Sequence, residues 1–183
     1  MLKETEDNII ERLHNPDTKN EAFSDIVKEY SEPLYWQIRK IVLTHDDAND
    51  VLQNTFIKVW TSIDSFRGDS KLSTWLYRIA VNESITFLNK QRTQNNISID
   101  DADTFLVSRL ESDEYFDGDE AQLLLQKAVL ILPEKQRIVF NMRYFDEMKY
   151  EDISEILETS VGALKASYHH AVKKIEDFLS ARD

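Results

Sequence analysis

Lys165, His169, His170 and Lys173 stand at helical spacing in the stretch VGALKASYHHAVKK, with Ser160 just ahead of it and Gly162, Ala163 and Ala166 in its first half. Wound into a helix, this set occupies the side opposite Leu164, Tyr168, Ala171, Val172 and Ile175. The chemistry on offer is recognition rather than bond-making. Cations meet phosphates, and short side chains at a helix start let the backbone approach base edges. The face carries no acid until Glu176, in a chain with 34 Asp and Glu, whereas a merely solvated face would carry acids at about the general rate. Covalent or metal chemistry has little to work with. There is no cysteine, His14 and His45 are isolated, and His169-His170 lacks companions at metal-ligand spacing. No phosphate-cradling glycine loop occurs. Neither a catalytic residue, a metal nor a cofactor is expected.

Two further constellations could bind. In DVLQNTFIKVW, the apolar stripe Val51, Leu52, Phe56 and Val59 is flanked by a polar strip of Asp50, Gln53, Asn54 and Lys58, which on its own reads as an ordinary wet helix face. In FRGDSKLSTWLYRIAVN, Phe66, Arg67, Gly68, Asp69, Ser70 and Lys71 have loop chemistry, and Gly68 permits an unusual backbone angle. Arg78 and Asn82 lie off the stripe of the helix that follows. Aromatic and basic groups beside a glycine loop suit single-stranded nucleic acid, where bases stack or enter pockets and Arg or Lys meets phosphate. For the loop and Arg78 this reading stands beside a purely structural one; Trp75 reads as core.

The elements that must position these groups are all helical. With 3 Gly and 3 Pro in 183 residues, most of the chain is free to form helix. Phe23, Ile26, Val27 and Tyr30 recur at helical spacing, as do Leu34, Ile38, Ile41 and Val42, with Pro33 suiting a helix start near Ser31. Asp46 or Asp47 would cap the next helix, and Asp69 or Ser70 the one burying Leu72, Trp75, Leu76, Ile79 and Phe87. Towards the C-terminus, one helix starts at Leu132-Pro133-Glu134 and runs to about Phe145. A second turns Tyr150, Ile153, Ile156 and Leu157 inward, and Ser160 caps a third. That last pair reads as a helix-turn-helix.

Net charge is −12, an apparent objection to DNA binding, but it is unevenly spread. Residues 96–120 hold nine acids against Arg109, while 1–95 and 121–183 are close to balanced. Periodicity also fails in 96–120, beyond a helical turn that Phe105, Leu106 and Leu110 could form. The segment reads as a solvated linker or as an acidic strand for a basic channel. The expected fold is all-α, with two small helical domains joined by this linker. Residues 1–25 lack the apolar segment of a signal peptide and no run is long enough to span a membrane, which points to a soluble, cytoplasmic protein without direct membrane insertion.

The whole pattern resembles bacterial RNA polymerase sigma factors of the sigma-70 family, in the extracytoplasmic-function (ECF) group. DDANDVLQNTFIKVW is similar to the helix that binds the clamp of the polymerase's largest subunit, with Asp50, Gln53 and Phe56 in the family's Asp-x-x-Gln-x-x-Phe pattern and Asn54 beside them. FRGDSKLSTWLYRIAVN is similar to the segment that captures and melts promoter DNA, implying roles for Phe66 through Lys71, Arg78 and Asn82. The C-terminal segment is similar to the domain that reads the minus-thirty-five element, implying DNA contacts from Ser160, Gly162, Ala163, Lys165, Ala166, His169, His170 and Lys173.

The resemblance implies region 2 at 1–95, the acidic linker at 96–120, occupying the polymerase's basic exit channel, and region 4 at 121–183. Its partners would be core RNA polymerase, including the upstream-flap region of the second-largest subunit, promoter DNA and an anti-sigma factor. The free chain would be monomeric and non-enzymatic. Departures from the pattern are Asn54 where an acid is common, Glu158 in place of a turn glycine, Val81 for an Arg, and Ser167 and His170 where Arg is frequent. If Glu158 must take a positive φ, the cost is on the order of 1 kcal/mol. On the residues alone two other classes stay open. An operator-binding regulator would use only the C-terminal domain, and a helical adaptor would bind only protein.

Overall fold

The computed structural model describes residues 6–98, 100–114 and 118–182, so parts of the expected 1–95 and 96–120 segments lie outside the described residues. Among these the helices are α1 (Glu6–His14), α2 (Lys19–Val42), α3 (His45–Ser62), α4 (Leu72–Gln94), α5 (Ala102–Glu111), α6 (Glu120–Leu130), α7 (Glu134–Phe140), α8 (Tyr150–Leu157) and α9 (Val161–Ser180), with no strand. The fold is all-α, as expected. It divides into two compact units, Met1–Val42 with Asp46–Leu88, and Leu43–His45 with Asn89–Asp183.

In the first unit the core is assembled from one stripe per helix. Leu13 of α1, Ile26, Leu34 and Ile38 of α2, Val51 and Val59 of α3, and Leu72, Leu76 and Ala80 of α4 are all buried. Each large aliphatic contributes about 1.5–3 kcal/mol on burial. Three local expectations are corrected. α2 runs unbroken through Pro33 instead of restarting near Ser31. Leu34, Ile38 and Ile41 continue the buried stripe of Ile26 in phase, while Pro33 is exposed, so water can serve the carbonyl its missing N–H leaves free. α3 starts at His45, placing Asp46 and Asp47 inside its first turn, where the helix dipole favours them. α4 is capped by neither Asp69 nor Ser70: the Leu72 N–H donates to the Glu6 carboxylate of α1.

The stripes also differ in membership. Leu52, Phe56, Trp75, Ile79 and Phe87 are only partly buried, whereas Thr55 and Ser84 are fully buried. The Thr55 hydroxyl donates to the Val51 carbonyl and that of Ser84 to Ala80, each at 2.7 Å. A hydroxyl satisfied by its own helix can enter a core, which a count of apolar residues overlooks.

In the second unit Ala128, Val129, Leu132, Phe140, Ala171 and Ile175 form a core beneath α6, α7 and α9. Asp119 caps α6 by accepting the Gln122 N–H at 2.8 Å. α7 ends at Phe140, and a π-helical turn, Asn141–Phe145, completes the expected run and buries Met142. Arg137 is buried too, its guanidinium donating to the Leu130 and Leu132 carbonyls at 3.4 and 3.3 Å. Burial lowers its pKa, an effect that Glu134 and Asp103 oppose. Within 96–120, α5 is ten residues long rather than a single turn. Leu106 and Leu110 are buried, and Lys127 of α6 pairs with Glu111 at 2.7 Å.

Candidate nucleic-acid interface

The turn between α8 and α9 is built from short polar residues. Glu158 ends α8 in the left-handed region, φ 52° and ψ 42°, the conformation its place in the turn demands. The Ser154 hydroxyl donates to the Thr159 carbonyl at 2.6 Å, and that of Thr159 to the Leu157 carbonyl at 3.1 Å. Ser160 then accepts the Ala163 N–H at 3.2 Å, the N-cap that its sequence position suggested. Ile153, Ile156, Leu164, Ala171 and Ile175 face the core.

This geometry brings the C-terminal candidates together. Ser160, Gly162, Ala163, Lys165, Ala166, His169, His170 and Lys173 are all exposed on the open side of α9. A Cβ added at Gly162 would meet nothing within 4 Å. One feature escaped sequence reasoning: the Tyr150 ring lies beneath two cations, with the Arg143 guanidinium 5.0 Å and the Lys165 ammonium 5.7 Å from its centroid. Tyr168 packs edge-on to Tyr150, and partial burial raises its pKa. The result is an exposed strip of small residues, lysines and histidines along the open side of α9, free of acids from Val161 to Ile175; a major groove is wide enough to admit an α-helix.

In the first unit, α3 exposes Asp50, Gln53 and Asn54, while Phe56 is half-buried and edge-on to Phe23 at 6.4 Å. Ile57 joins the exposed strip at 62% exposure, a residue the sequence reading passed over. Its place four after Gln53 and seven after Asp50 was the available signal. Trp36 of α2 is also exposed.

The α3–α4 loop divides its candidates. Phe66 is only 4% exposed and stacks on Trp75 with centroids 4.8 Å apart, so it supports the loop from below. Arg67, Gly68, Asp69 and Lys71 are exposed and Ser70 half-buried; Gly68 takes φ 79°. The Ser70 hydroxyl donates to the Lys71 carbonyl at 3.4 Å. Along α4, Arg78 lies seven residues beyond Lys71 and Asn82 four further, placing all three on one side. Lys71 and Arg78 are already engaged within the protein, Asn82 is exposed, and Trp75 is half-buried between them. Among the described residues, no three His, Cys, Asp or Glu gather to hold a metal ion, and no helix is long and apolar enough to cross a membrane.

Comparison with known proteins places these surfaces in context. Residues 26–94 match the family model for Sigma-70 region 2, and residues 122–175 that for Sigma-70, region 4. The chain is 33% identical over 157 residues to the ECF RNA polymerase sigma factor SigW of Bacillus subtilis, covering 81% of this chain and 84% of that protein. It is 33% identical over 183 residues to the ECF RNA polymerase sigma-E factor of Haemophilus influenzae, with 94% of each covered. Among solved structures, CnrH in complex with the cytosolic domain of CnrY superposes with a TM-score of 0.67 at 20% identity, covering 97% of this chain and 99% of that one. The sigma factor RpoE in complex with the anti-sigma factor NepR, from Bartonella quintana, gives 0.64 at 23% identity, over 86% and 96% of the respective chains. At such identities the likeness of the structures speaks to fold alone.

Proposed function

Since the chain belongs to the sigma-70 family, in its extracytoplasmic-function group, we propose a division of labour among its surfaces. The protein is a sigma factor: it binds core RNA polymerase and directs it to specific promoters, and the phosphodiester chemistry is the polymerase's, not its own. Residues 1–95 act as region 2, 121–183 as region 4, and 96–120 as the acidic connection between them. Asp50, Gln53, Asn54 and Phe56, with Ile57, dock on the clamp of the largest subunit. A polar rim around a partly exposed apolar centre suits such docking. Arg67 to Lys71, with Arg78 and Asn82, hold the opened promoter strand, and Phe66 fixes the loop that presents them.

α9 reads the upstream element. Gly162, Ala163 and Ala166 approach base edges, while Lys165 and Lys173 meet phosphates with His169 and His170 between them. The carrying observation is the wholly exposed strip on α9, free of acids from Val161 to Ile175. Region 4 also meets the upstream flap of the second-largest subunit. If residues 96–120 thread the basic exit channel as an extended strand, α5 must release Leu106 and Leu110 from burial, at about 1.5–3 kcal/mol each. The work is done in the cytoplasm, and an anti-sigma factor is the expected regulatory partner. The free chain is monomeric. The test is run-off transcription with purified core polymerase on genomic promoter fragments. Specific transcripts that require this chain are expected; duplex binding by the chain alone, without any effect on polymerase, would favour an operator-binding regulator.

A further inference from the structure

α1 lies before the residues that match region 2 and buries Ile9 and Leu13. Its contacts are nonetheless directed at the loop. The first amides of a helix have no partner within it, and the Ser70 hydroxyl, just ahead of α4, turns to the Lys71 carbonyl instead of capping them. The partner arrives from 66 residues earlier in the chain: Glu6 accepts the Leu72 N–H. One turn along α1, the Ile10 Cδ1 lies 3.5 Å from where a Cβ on Gly68 would stand, so α1 also approaches the loop at its left-handed residue. α1 is in turn fixed to α2, since Arg12 pairs with Asp25 at 2.9 Å and the Thr18 hydroxyl donates to the Arg12 carbonyl at 2.9 Å.

We propose that α1 is a brace for the Phe66–Lys71 loop and that Glu6 is a positioning residue for promoter opening, capping α4 in trans so that the loop meets the unpaired strand in a fixed shape. The inference rests on the reading of that loop as the melting segment. An anionic acceptor at a helix N-terminus is favoured by the dipole as well as by the hydrogen bond, and a fixed loop enters the opened complex with less ordering cost. Asp7, one residue on, is exposed on α1 and makes no part of this contact, so it serves as the control.

The experiment uses holoenzyme reconstituted with Glu6→Ala, Glu6→Gln, Asp7→Ala and Arg67→Ala chains, assayed on duplex promoters and on templates already unpaired at the melting site. Amide hydrogen exchange over residues 66–76 is measured on the same free proteins. Glu6→Ala should speed exchange there and reduce duplex transcription by about 2- to 30-fold, the span of a lost cap, while sparing the unpaired template. Glu6→Gln, which keeps an acceptor oxygen but not the charge, should fall between; Asp7→Ala should match the parent. Unchanged exchange in Glu6→Ala overturns the brace. Faster exchange with equal loss on both templates, while Arg67→Ala remains duplex-selective, overturns the positioning role alone. If Arg67→Ala is itself unselective, the reading of the loop fails and the inference falls with it.

Discussion

Phe66 and Trp75 stack with their centroids 4.8 Å apart and their planes 30° from parallel, joining the loop after α3 to the first turns of α4. The buried ring and the exposed Arg67 beside it therefore answer to different tests. Phe66→Ala should destabilise the first unit by about 3–5 kcal/mol, lowering its urea midpoint and impairing transcription on duplex and unpaired templates alike. Arg67→Ala should leave the urea midpoint within experimental error. A Phe66→Ala protein of normal stability would mean that the ring is not part of the core.

On α9 the charge and shape contributions separate. Lys165→Ala should weaken holoenzyme binding about equally across promoter sequences and reduce the salt slope by about one. Ala163→Trp or Ala166→Trp should instead abolish discrimination of the upstream element without changing the unfolding midpoint, because both positions are exposed. Leu164→Ala, at 1% exposure, is the contrasting case; it should cost about 2–5 kcal/mol. Retained discrimination with tryptophan at both alanine positions would place α9 outside the groove.

Docking on core polymerase should depend on α3. The double variant Asp50→Ala, Gln53→Ala should co-purify poorly with core enzyme while keeping its helical circular dichroism. Ile57→Ala should weaken association by about tenfold, as a central apolar anchor does, with no stability cost, since the side chain is largely exposed already. Undiminished co-purification of both variants would move the clamp contact elsewhere.

Tyr30 gives the first unit an alkaline signature. Burial, then Glu29 and Glu6, push its pKa from 10.0 up to about 12. The folded state thus holds the phenolic proton more tightly than the unfolded chain. That contribution is fully present below pH 10 and is lost as pH rises through the folded value near 12. Urea titrations across this window should show a decline that Tyr30→Phe lacks, and Glu6→Gln should shift the tyrosinate absorbance transition to lower pH.

Among the described residues two glutamates sit at positive φ, Glu147 and Glu158, each at 52°. Glu147 is exposed, so Glu147→Gly relieves the left-handed strain of about 1–2 kcal/mol. Against this stands the greater freedom of glycine in the unfolded chain, about 0.4–1 kcal/mol. A net gain of roughly 0.5–1 kcal/mol should appear as a higher thermal midpoint. Glu158, by contrast, is engaged in a further interaction within the protein, so Glu158→Gly should gain less.

Long periodic stripes made the helices legible: α9, its Ser160 cap and its open face lie where the spacing of Leu164, Ala171 and Ile175 puts them. What escaped was set by contacts distant in sequence. The cap of α4 comes from Glu6, which no local pattern around Asp69 and Ser70 reveals. Pro33 failed to break α2 because the buried residues on either side stay in phase, and tertiary burial outweighs one lost hydrogen bond. Phe66 was grouped with the polar loop although its ring belongs to the core, and Ile57 was passed over because a single apolar residue beyond the inward stripe looks incidental. The helical extent of α5 was obscured by the acids around it, while Leu106 and Leu110 alone supply its buried side.

The open side of α9 bears none of the weight of the fold. A Cβ at Gly162 would touch nothing, and Ala163, Ala166, His169 and His170 project away from the core that Leu164, Ala171 and Ile175 fill. Surface substitutions at such positions usually change stability by less than about 0.5 kcal/mol. With α9 reading the upstream element as proposed, promoter preference can drift by single mutations through folded intermediates, which makes a duplicated copy of the gene a ready starting point for a second regulon.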